Sequence, residues 1–285
     1  MKKAKRIMGL LLALALVITI LPMQTQAAKP KLNATKVTIY EGKTFYLKLQ
    51  NSKASKKWYS SNKNVATVNK YGIVKAKKKG IATITCKSSG KKYKCKITVK
   101  AMPTVADLAT TEYTFENGYS TRHIIAVTNN SSETIRVFSN SVAYDASGSF
   151  IGAASDTSYA IGPNCTSVLS EYYSDVKGVA RFETKYKVEL ETYYKSVLQD
   201  LSYEYNPMSD KLIMQVTNNG SMDAKYVEAT ILFFKGDTVV NCEEEYFTGL
   251  DYSTLAAGET LTEQIEWYED IDYDKIEVFF TGRCY

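Results

Sequence analysis

The hydrophobic and polar positions of residues 29–285 alternate in many short runs, each bounded by a turn signal such as Gly, Asn or Lys-Gly. Alternation with a period of two is typical of a strand that buries one face. In the first third of this stretch the runs are 38–40, 45–49, 65–68, 73–76, 81–87 and 93–100. Short strands at regular spacing predict an all-β chain of sandwiches or barrels.

The last two of these runs predict a hairpin. If the turn is centred between Gly90 and Lys91, Cys86 faces Cys95 directly. Directly opposed residues have Cβ atoms about 4.5–5.5 Å apart, close to the spacing of a disulfide. We predict a Cys86–Cys95 disulfide here; the alternative is two buried free thiols.

The remaining residues contain an internal repeat. The strand at 124–130 recurs 89 residues later at 213–219, and each copy ends in a pair of asparagines suited to a turn. Later strands and turns follow in the same order. This order predicts two sandwiches, at 104–200 and 201–285, after a first module at 29–100.

The first 28 residues have the pattern of a secretory signal peptide. Four basic residues precede an uncharged apolar run at 7–21, and small residues at 25 and 27 suit a cleavage site. The run is shorter than the roughly 20 residues of a bilayer helix, which disfavours the alternative of a membrane anchor. We expect a secreted, extracellular or cell-wall-associated protein without a membrane span after cleavage.

The net charge of +6 is the balance of very different parts. Residues 29–100 contain 20 lysines and one acid, Glu41, a net charge of +19. Residues 101–285 contain 12 basic and 29 acidic residues, a net charge of −17. Without the four basic residues of the signal peptide the chain carries +2. The charge therefore places a domain boundary near residue 100.

Lysines alternate with apolar residues on the strands of the basic module. The candidate binding residues are Lys75, Lys77, Lys87, Lys94, Lys96 and Lys100. Such a stripe predicts either a solubilising surface or a site for an anionic cell-wall polymer or polysaccharide. The module has no Arg, which disfavours sequence-specific nucleic-acid recognition. The alternative function is that of a structural spacer or accessory subunit, in which association between the basic and acidic modules drives assembly.

Four sequence blocks of the basic module resemble the bacterial immunoglobulin-like (Ig-like) domain, group 2. They are WYSSN at 58–62, VATV at 65–68, GIVKA at 72–76 and GIATI at 80–84. The resemblance covers about residues 32–99 and implies a β-sandwich of the kind found in bacterial surface adhesins and in spacers beside secreted enzymes. It implies no catalysis, and it makes Trp58 a core residue.

The acidic part is similar to secreted bacterial Ig-like modules named for a Phe-x-Leu-Tyr-Asp signature. Val142, Tyr144 and Asp145 keep part of that signature, whereas Phe233 and Phe234 replace it in the second copy. The fold prediction is therefore three tandem Ig-like β-sandwich modules.

Candidate chemistry is sparse, and we predict a non-enzymatic protein without metal or cofactor. The sole histidine, His123, is expected to be a strand residue and not a base. Asp270, Asp272 and Asp274 have the spacing that starts a calcium loop, but the Gly and the closing Glu of that loop are absent. A glycan-active enzyme remains a remote alternative.

A second disulfide, Cys242–Cys284, is a weaker prediction, because Cys165 is an alternative partner for either residue. With five cysteines in the chain, one is left over.

Overall fold

The computed structural model describes residues 28–249, 253–267 and 270–285. Apart from two single-turn 3-10 helices, every regular element in these ranges is a β-strand, which confirms the all-β prediction. The chain divides into two compact units, with the boundary between Ala101 and Met102. The predicted signal peptide falls almost entirely on residues outside the described ranges. No helix in the described part of the chain has the length and apolarity of a membrane span.

The first unit contains nine strands: β1 (Lys31–Leu32), β2 (Lys36–Tyr40), β3 (Thr44–Tyr46), β4 (Leu49–Gln50), β5 (Lys57–Ser60), β6 (Ala66–Val68), β7 (Ile73–Ala76), β8 (Gly80–Ser88) and β9 (Lys91–Lys100). One sheet has the order β2-β9-β8-β5, and a second has the order β3-β7-β6, while β1 pairs with β4. Strands β2 and β9 are parallel, and the other pairs are antiparallel.

Alternate residues of these sheets meet in one apolar core. Trp58 packs against this core, as predicted, and also covers the turn before β7. Gly72 in that turn has a φ of +88°, and a Cβ there would lie 2.2 Å from the carbonyl oxygen of Leu47 and 3.0 Å from the Trp58 ring. Only glycine fits this position. Trp58 of the block WYSSN and Gly72 of the block GIVKA therefore pack directly against each other.

The β8–β9 hairpin has a different register from the predicted one. Its turn is formed by Ser89 and Gly90, which both have positive φ, 49° and 73°. Two such residues suit a tight two-residue turn, and they place Cys86 opposite Tyr93, two positions short of Cys95. Diagonal neighbours are about 7–8 Å apart, too far for a disulfide. The predicted Cys86–Cys95 disulfide is therefore wrong, and both residues are buried free thiols.

The second unit contains fourteen strands and the two 3-10 helices, at Val105–Asp107 and Leu198–Asp200. The strands are β10 (Leu108–Glu116), β11 (Ser120–Asn129), β12 (Ile135–Tyr144), β13 (Phe150–Ile161), β14 (Thr166–Ser174), β15 (Arg181–Leu190), β16 (Lys195–Ser196), β17 (Leu201–Pro207), β18 (Lys211–Asn218), β19 (Ala224–Lys235), β20 (Thr238–Tyr246), β21 (Thr254–Leu255), β22 (Thr260–Glu266) and β23 (Lys275–Cys284).

These strands form four sheets stacked in layers. The central sandwich consists of β13-β12-β15 and β10-β11-β14. The C-terminal sandwich consists of β16-β23-β19-β20, with β21 beside β19, and β17-β18-β22. One apolar cluster fills each sandwich, and a third lies between the sheets of β11 and β19. The two sandwiches therefore share a buried interface.

Strands β11 and β19 are buried on both faces. On β11, Ile125 points into the central core and Ile124 into the shared interface. On β19, Phe233 points into the C-terminal core and Leu232 into the interface. Strands covered on both sides have continuous apolar runs instead of alternation, which explains the unbroken apolar stretch of β19.

The repeated asparagines occupy matching buried corners of the two sandwiches. The side-chain amide of Asn129 donates to three main-chain carbonyl oxygens at 2.8–3.0 Å, and that of Asn218 donates to two at 2.9 and 3.1 Å. Each side-chain oxygen accepts the N–H group two residues further on. The sequence repeat is thus a repeat of one hydrogen-bonding device, which ties a strand end to the facing sheet.

Replacing Asn129 with Ala should lower the free energy of unfolding by about 2–4 kcal/mol, because buried carbonyl oxygens lose their donors. The control is Asn130→Ala, since the neighbouring side chain is exposed; its effect should stay within about 0.5 kcal/mol. Urea unfolding of both variants measures the difference. Equal stability of the two variants would contradict the role assigned to the buried amide.

Candidate polyanion-binding surface

The outer face of the sheet β2-β9-β8-β5 is covered with lysines. Pairing across three strands aligns Lys57, Lys87 and Lys92 in one row. The parallel pairing of β2 with β9 aligns Lys36 with Lys96 in another row. We define the lysine face as Lys36, Lys57, Lys87, Lys92, Lys94, Lys96 and Lys100.

Sheet geometry fixes the spacing of these charges. Neighbouring strands lie about 4.8 Å apart, and alternate residues along a strand lie about 6.6–6.8 Å apart. Thr83, Thr85 and Thr98 occupy positions between the lysines on the same face. The ammonium group of Lys87 lies 4.8 Å from the centre of the Tyr59 ring. The face is thus a broad array of positive charges, with the Tyr59 ring at the edge formed by β5.

The basic module offers almost nothing to neutralise this face. Its one carboxylate, Glu41, accepts the backbone N–H of Lys79. Lysines in directly opposed positions repel one another, which destabilises the sheet. The row of Lys57, Lys87 and Lys92 therefore costs stability, against which this module sets the contact of Lys87 with the Tyr59 ring.

The structure divides the six predicted binding residues between two sheets. Four of them, Lys87, Lys94, Lys96 and Lys100, belong to the lysine face. Lys75 lies on β7 of the opposite sheet, across from threonines of β3 and β6, and Lys77 follows it.

Sequence analysis missed three members of the face. Lys92 was missed because the predicted hairpin register was wrong. A turn centred between Gly90 and Lys91 would pair Lys87 with Lys94, whereas in the structure Lys87 pairs with Lys92. Lys36 and Lys57 join the face only through pairing with strands distant in sequence.

Residues 28–99 match the family model of the bacterial Ig-like domain, group 2. The identification of this module from its four sequence blocks is thereby confirmed, and we call it the Ig-like module. A kappa-carrageenase of Pseudoalteromonas carrageenovora is 47% identical to the chain over 74 residues, which are 24% of this chain and 19% of the enzyme. The chain therefore spans about a fifth of the length of this relative.

The solved structure of domains 5–6 of the S-layer protein SbsC is also similar. The match covers 77% of this chain and 96% of that structure, at 14% identity and a TM-score of 0.23. Similarity of this degree does not establish a shared architecture.

The predicted Cys242–Cys284 disulfide is wrong as well. Both residues lie on the sheet β16-β23-β19-β20, but Cys242 faces the interface between the sandwiches and Cys284 faces the C-terminal core. Strand β19 also separates their two strands. All five cysteines are free thiols. Burial raises the pKa of Cys242 to about 12, so this thiol is unreactive.

Two of the three aspartates with the spacing of a calcium loop, Asp272 and Asp274, contact residues at the end of β19 or just after it. Asp272 lies 2.7 Å from the ammonium of Lys235, and Asp274 accepts the N–H of Gly236 at 3.1 Å. Within the described residues, no three His, Cys, Asp or Glu side chains are grouped in a way that could hold a metal ion.

The sole histidine lies in the interior of the central sandwich. His123 Nδ1 is 2.9 Å from the carboxylate of Glu171, and Nε2 is 3.2 Å from that of Glu112. Its ring stacks on Phe182 at 3.9 Å. His123 and Glu171 are both fully buried, so the pair has no access to a substrate and serves the fold.

The C-terminal sandwich fills the corresponding position with apolar residues. His123 faces Glu171 across β11 and β14, and Leu212, 89 residues further on, faces Ile265 across β18 and β22. One sandwich therefore contains a buried, hydrogen-bonded His–Glu pair where its repeat contains a hydrophobic pair.

His123→Leu alone should lower the free energy of unfolding by about 3–5 kcal/mol, because it leaves Glu171 buried and unpaired. The double variant His123→Leu/Glu171→Ile copies the C-terminal sandwich and should recover most of that loss. Chemical unfolding of both variants provides the measurement. A double variant no more stable than the single one would show that the pair is not exchangeable between the sandwiches.

Proposed function

We propose that the protein is a secreted, non-enzymatic extracellular binding protein whose Ig-like module binds an anionic polymer of the cell envelope or of a host. The observation that supports this proposal is the lysine face. It is an array of seven lysines on one sheet, in a module whose sequence contains a single acidic residue.

The chemistry of the face favours a polymer recognised by charge density. A lysine ammonium is a mobile point charge, whereas specific phosphate or base recognition uses the planar fork of arginine. A polymer with repeated sulfate, phosphate or carboxylate groups can contact several rows at once. Its binding would also relieve the repulsion between opposed lysines, so the ligand would stabilise the module.

The partial relative supports a polysaccharide setting. The matching kappa-carrageenase is named for an enzyme acting on carrageenan, and an Ig-like module can accompany such an activity as a binding or spacing element. The shared stretch is about a fifth of that enzyme. The binding role that we propose for this chain rests on the lysine face and not on that relative.

Binding should be measured on residues 29–285 with dextran sulfate as the probe and uncharged dextran as its control. The variant Lys92→Gln/Lys94→Gln/Lys96→Gln should weaken binding by roughly tenfold or more and reduce the slope of log K against log salt by about 2–3. The matched control, Lys75→Gln/Lys77→Gln/Lys78→Gln, removes the same charge from outside the face. It should change the affinity less than about threefold.

Two results would contradict the proposal. Absence of salt-sensitive binding to dextran sulfate would remove the polyanion role. Equal losses of affinity in both triple variants would show that binding depends on the net charge of the module and not on the lysine face.

A second candidate function is assembly through opposite charges. The Ig-like module (residues 29–100) carries a net charge of +19, and residues 101–285 carry −17. The basic end of one chain could therefore bind the acidic part of another. Light scattering from about 0.02 to 0.5 M salt tests this function, because screening shortens the range of such attraction. Assembly predicts a mass that falls to the monomer value as salt rises; a monomer at every salt concentration excludes it.

A further inference from the structure

A cleft of about 240 Å³ opens beside the interface between the central and C-terminal sandwiches. One wall is β13, and the other is formed by β19, β20 and β23. The side chains that give the cleft its chemistry are Asp156, Tyr159, Tyr226, Glu228, Tyr246 and Arg283. Carboxylates, phenol rings and a guanidinium thus converge on one concave surface.

The arginine in the cleft is held by aromatic rings. The guanidinium carbon of Arg283 lies 4.7 Å from the ring centres of Tyr159, Tyr194 and Tyr226. Cation–π contacts of this kind fix both the cation and the rings. The rings are therefore already ordered, which reduces the entropy that a ligand must overcome.

The ring cluster continues out of the cleft along the surface. The ring centre of Tyr194 lies 4.7 Å from that of Tyr193 and 5.4 Å from that of Tyr285. We define the tyrosine strip as Tyr159, Tyr193, Tyr194, Tyr226 and Tyr285. Its outer members Tyr193, Tyr226 and Tyr285 are 44–66% exposed. Contiguous exposed aromatic surface is typical of an interaction site.

A distortion of β19 presents one of these rings to the cleft. The pairing of β19 with β23 shifts register between Lys225 and Glu228, and Tyr226 there has a φ of +52°. A bulge of this kind redirects a side chain.

The carboxylates lie at the inner end of the cleft. Burial raises the pKa of Asp156 and of Glu228. The backbone N–H of Ser170 donates to Asp156 at 2.8 Å, and the hydroxyl of Tyr246 donates to Glu228. Partly buried carboxylates beside aromatic rings can accept hydrogen bonds from ligand hydroxyl groups.

We infer that the cleft and the tyrosine strip together bind an uncharged glycan chain. Tyrosine rings offer flat apolar faces for the C–H surfaces of sugar rings, while Asp156 and Glu228 accept from sugar hydroxyls. A polyanion would be repelled by these carboxylates. A cationic ligand would be repelled by the guanidinium of Arg283, which the tyrosine rings hold at the same place. This site is independent of the lysine face, so the chain would hold a neutral and an anionic polymer at separate places.

Affinity electrophoresis of residues 29–285 tests the inference with three neutral polymers as probes: hydroxyethyl cellulose, dextran and galactan. At least one of them should retard the protein. Tyr193→Ala/Tyr285→Ala should weaken that retardation by roughly tenfold, as expected for loss of aromatic anchors, and Glu228→Gln should weaken it without changing the fold. The control is Tyr119→Ala, which removes an 80% exposed tyrosine elsewhere in the same unit.

Thermal unfolding of each variant separates lost binding from lost folding. Retardation by none of the three polymers, or an equal effect of the control and the strip variants, would overturn the inference. The lysine variants of the Ig-like module should leave this retardation unchanged, so failure here and failure of the polyanion role are distinguishable.

Discussion

The apolar middle parts of strands β11 and β19 are covered on both faces, and the architecture of residues 102–285 depends on this constraint. A strand exposes alternate residues on opposite sides, so apolar residues in consecutive positions need cover on both sides. Ile124 of β11 and Leu232 of β19 supply that cover for each other across the interface. Separating the sandwiches would expose both strands to water, which is why two sandwiches form one compact unit.

Polar groups fix how these two sheets meet. Arg122 pairs with Glu244, and the hydroxyl of Tyr113 donates to Glu277 at 2.8 Å. Burial of apolar surface does not favour one orientation of the two sheets over another. These polar contacts, in contrast, form only in one relative placement of the sheets. The cleft lies beside the same interface, between β13 of the central sandwich and β19, β20 and β23 of the C-terminal one. The Ig-like module has the opposite design: its larger sheet buries one face only, and the free face carries lysines.

The strands and the module boundary near residue 100 were predictable because they depend on local alternation and composition. The pairing of strands was less so. The β8–β9 turn begins at Ser89, a non-glycine residue with positive φ, so a turn centred on Gly90 and Lys91 was the natural but wrong choice. Lys36 belongs to the lysine face because β2 pairs in parallel with β9. A turn motif in the sequence indicates only antiparallel hairpins, so it does not predict this pairing. The cleft combines β13 with β23, more than 100 residues apart, and no local pattern brings such strands together.

The comparison of the two sandwiches bears on the role of the buried His123–Glu171 pair. The repeat with Leu212 opposite Ile265 folds into the same arrangement of sheets, so the architecture does not require a polar pair at this position. What His123 and Glu171 add is selectivity for one register. A two-residue slip of β11 against β14 keeps every side chain on its own face, and an apolar pair would lose little by it. The same slip would leave the buried side chain of Glu171 without its imidazole partner, and a buried polar group without a partner costs about 1–3 kcal/mol. The His123–Glu171 hydrogen bond thus penalises a misalignment that alternation alone permits.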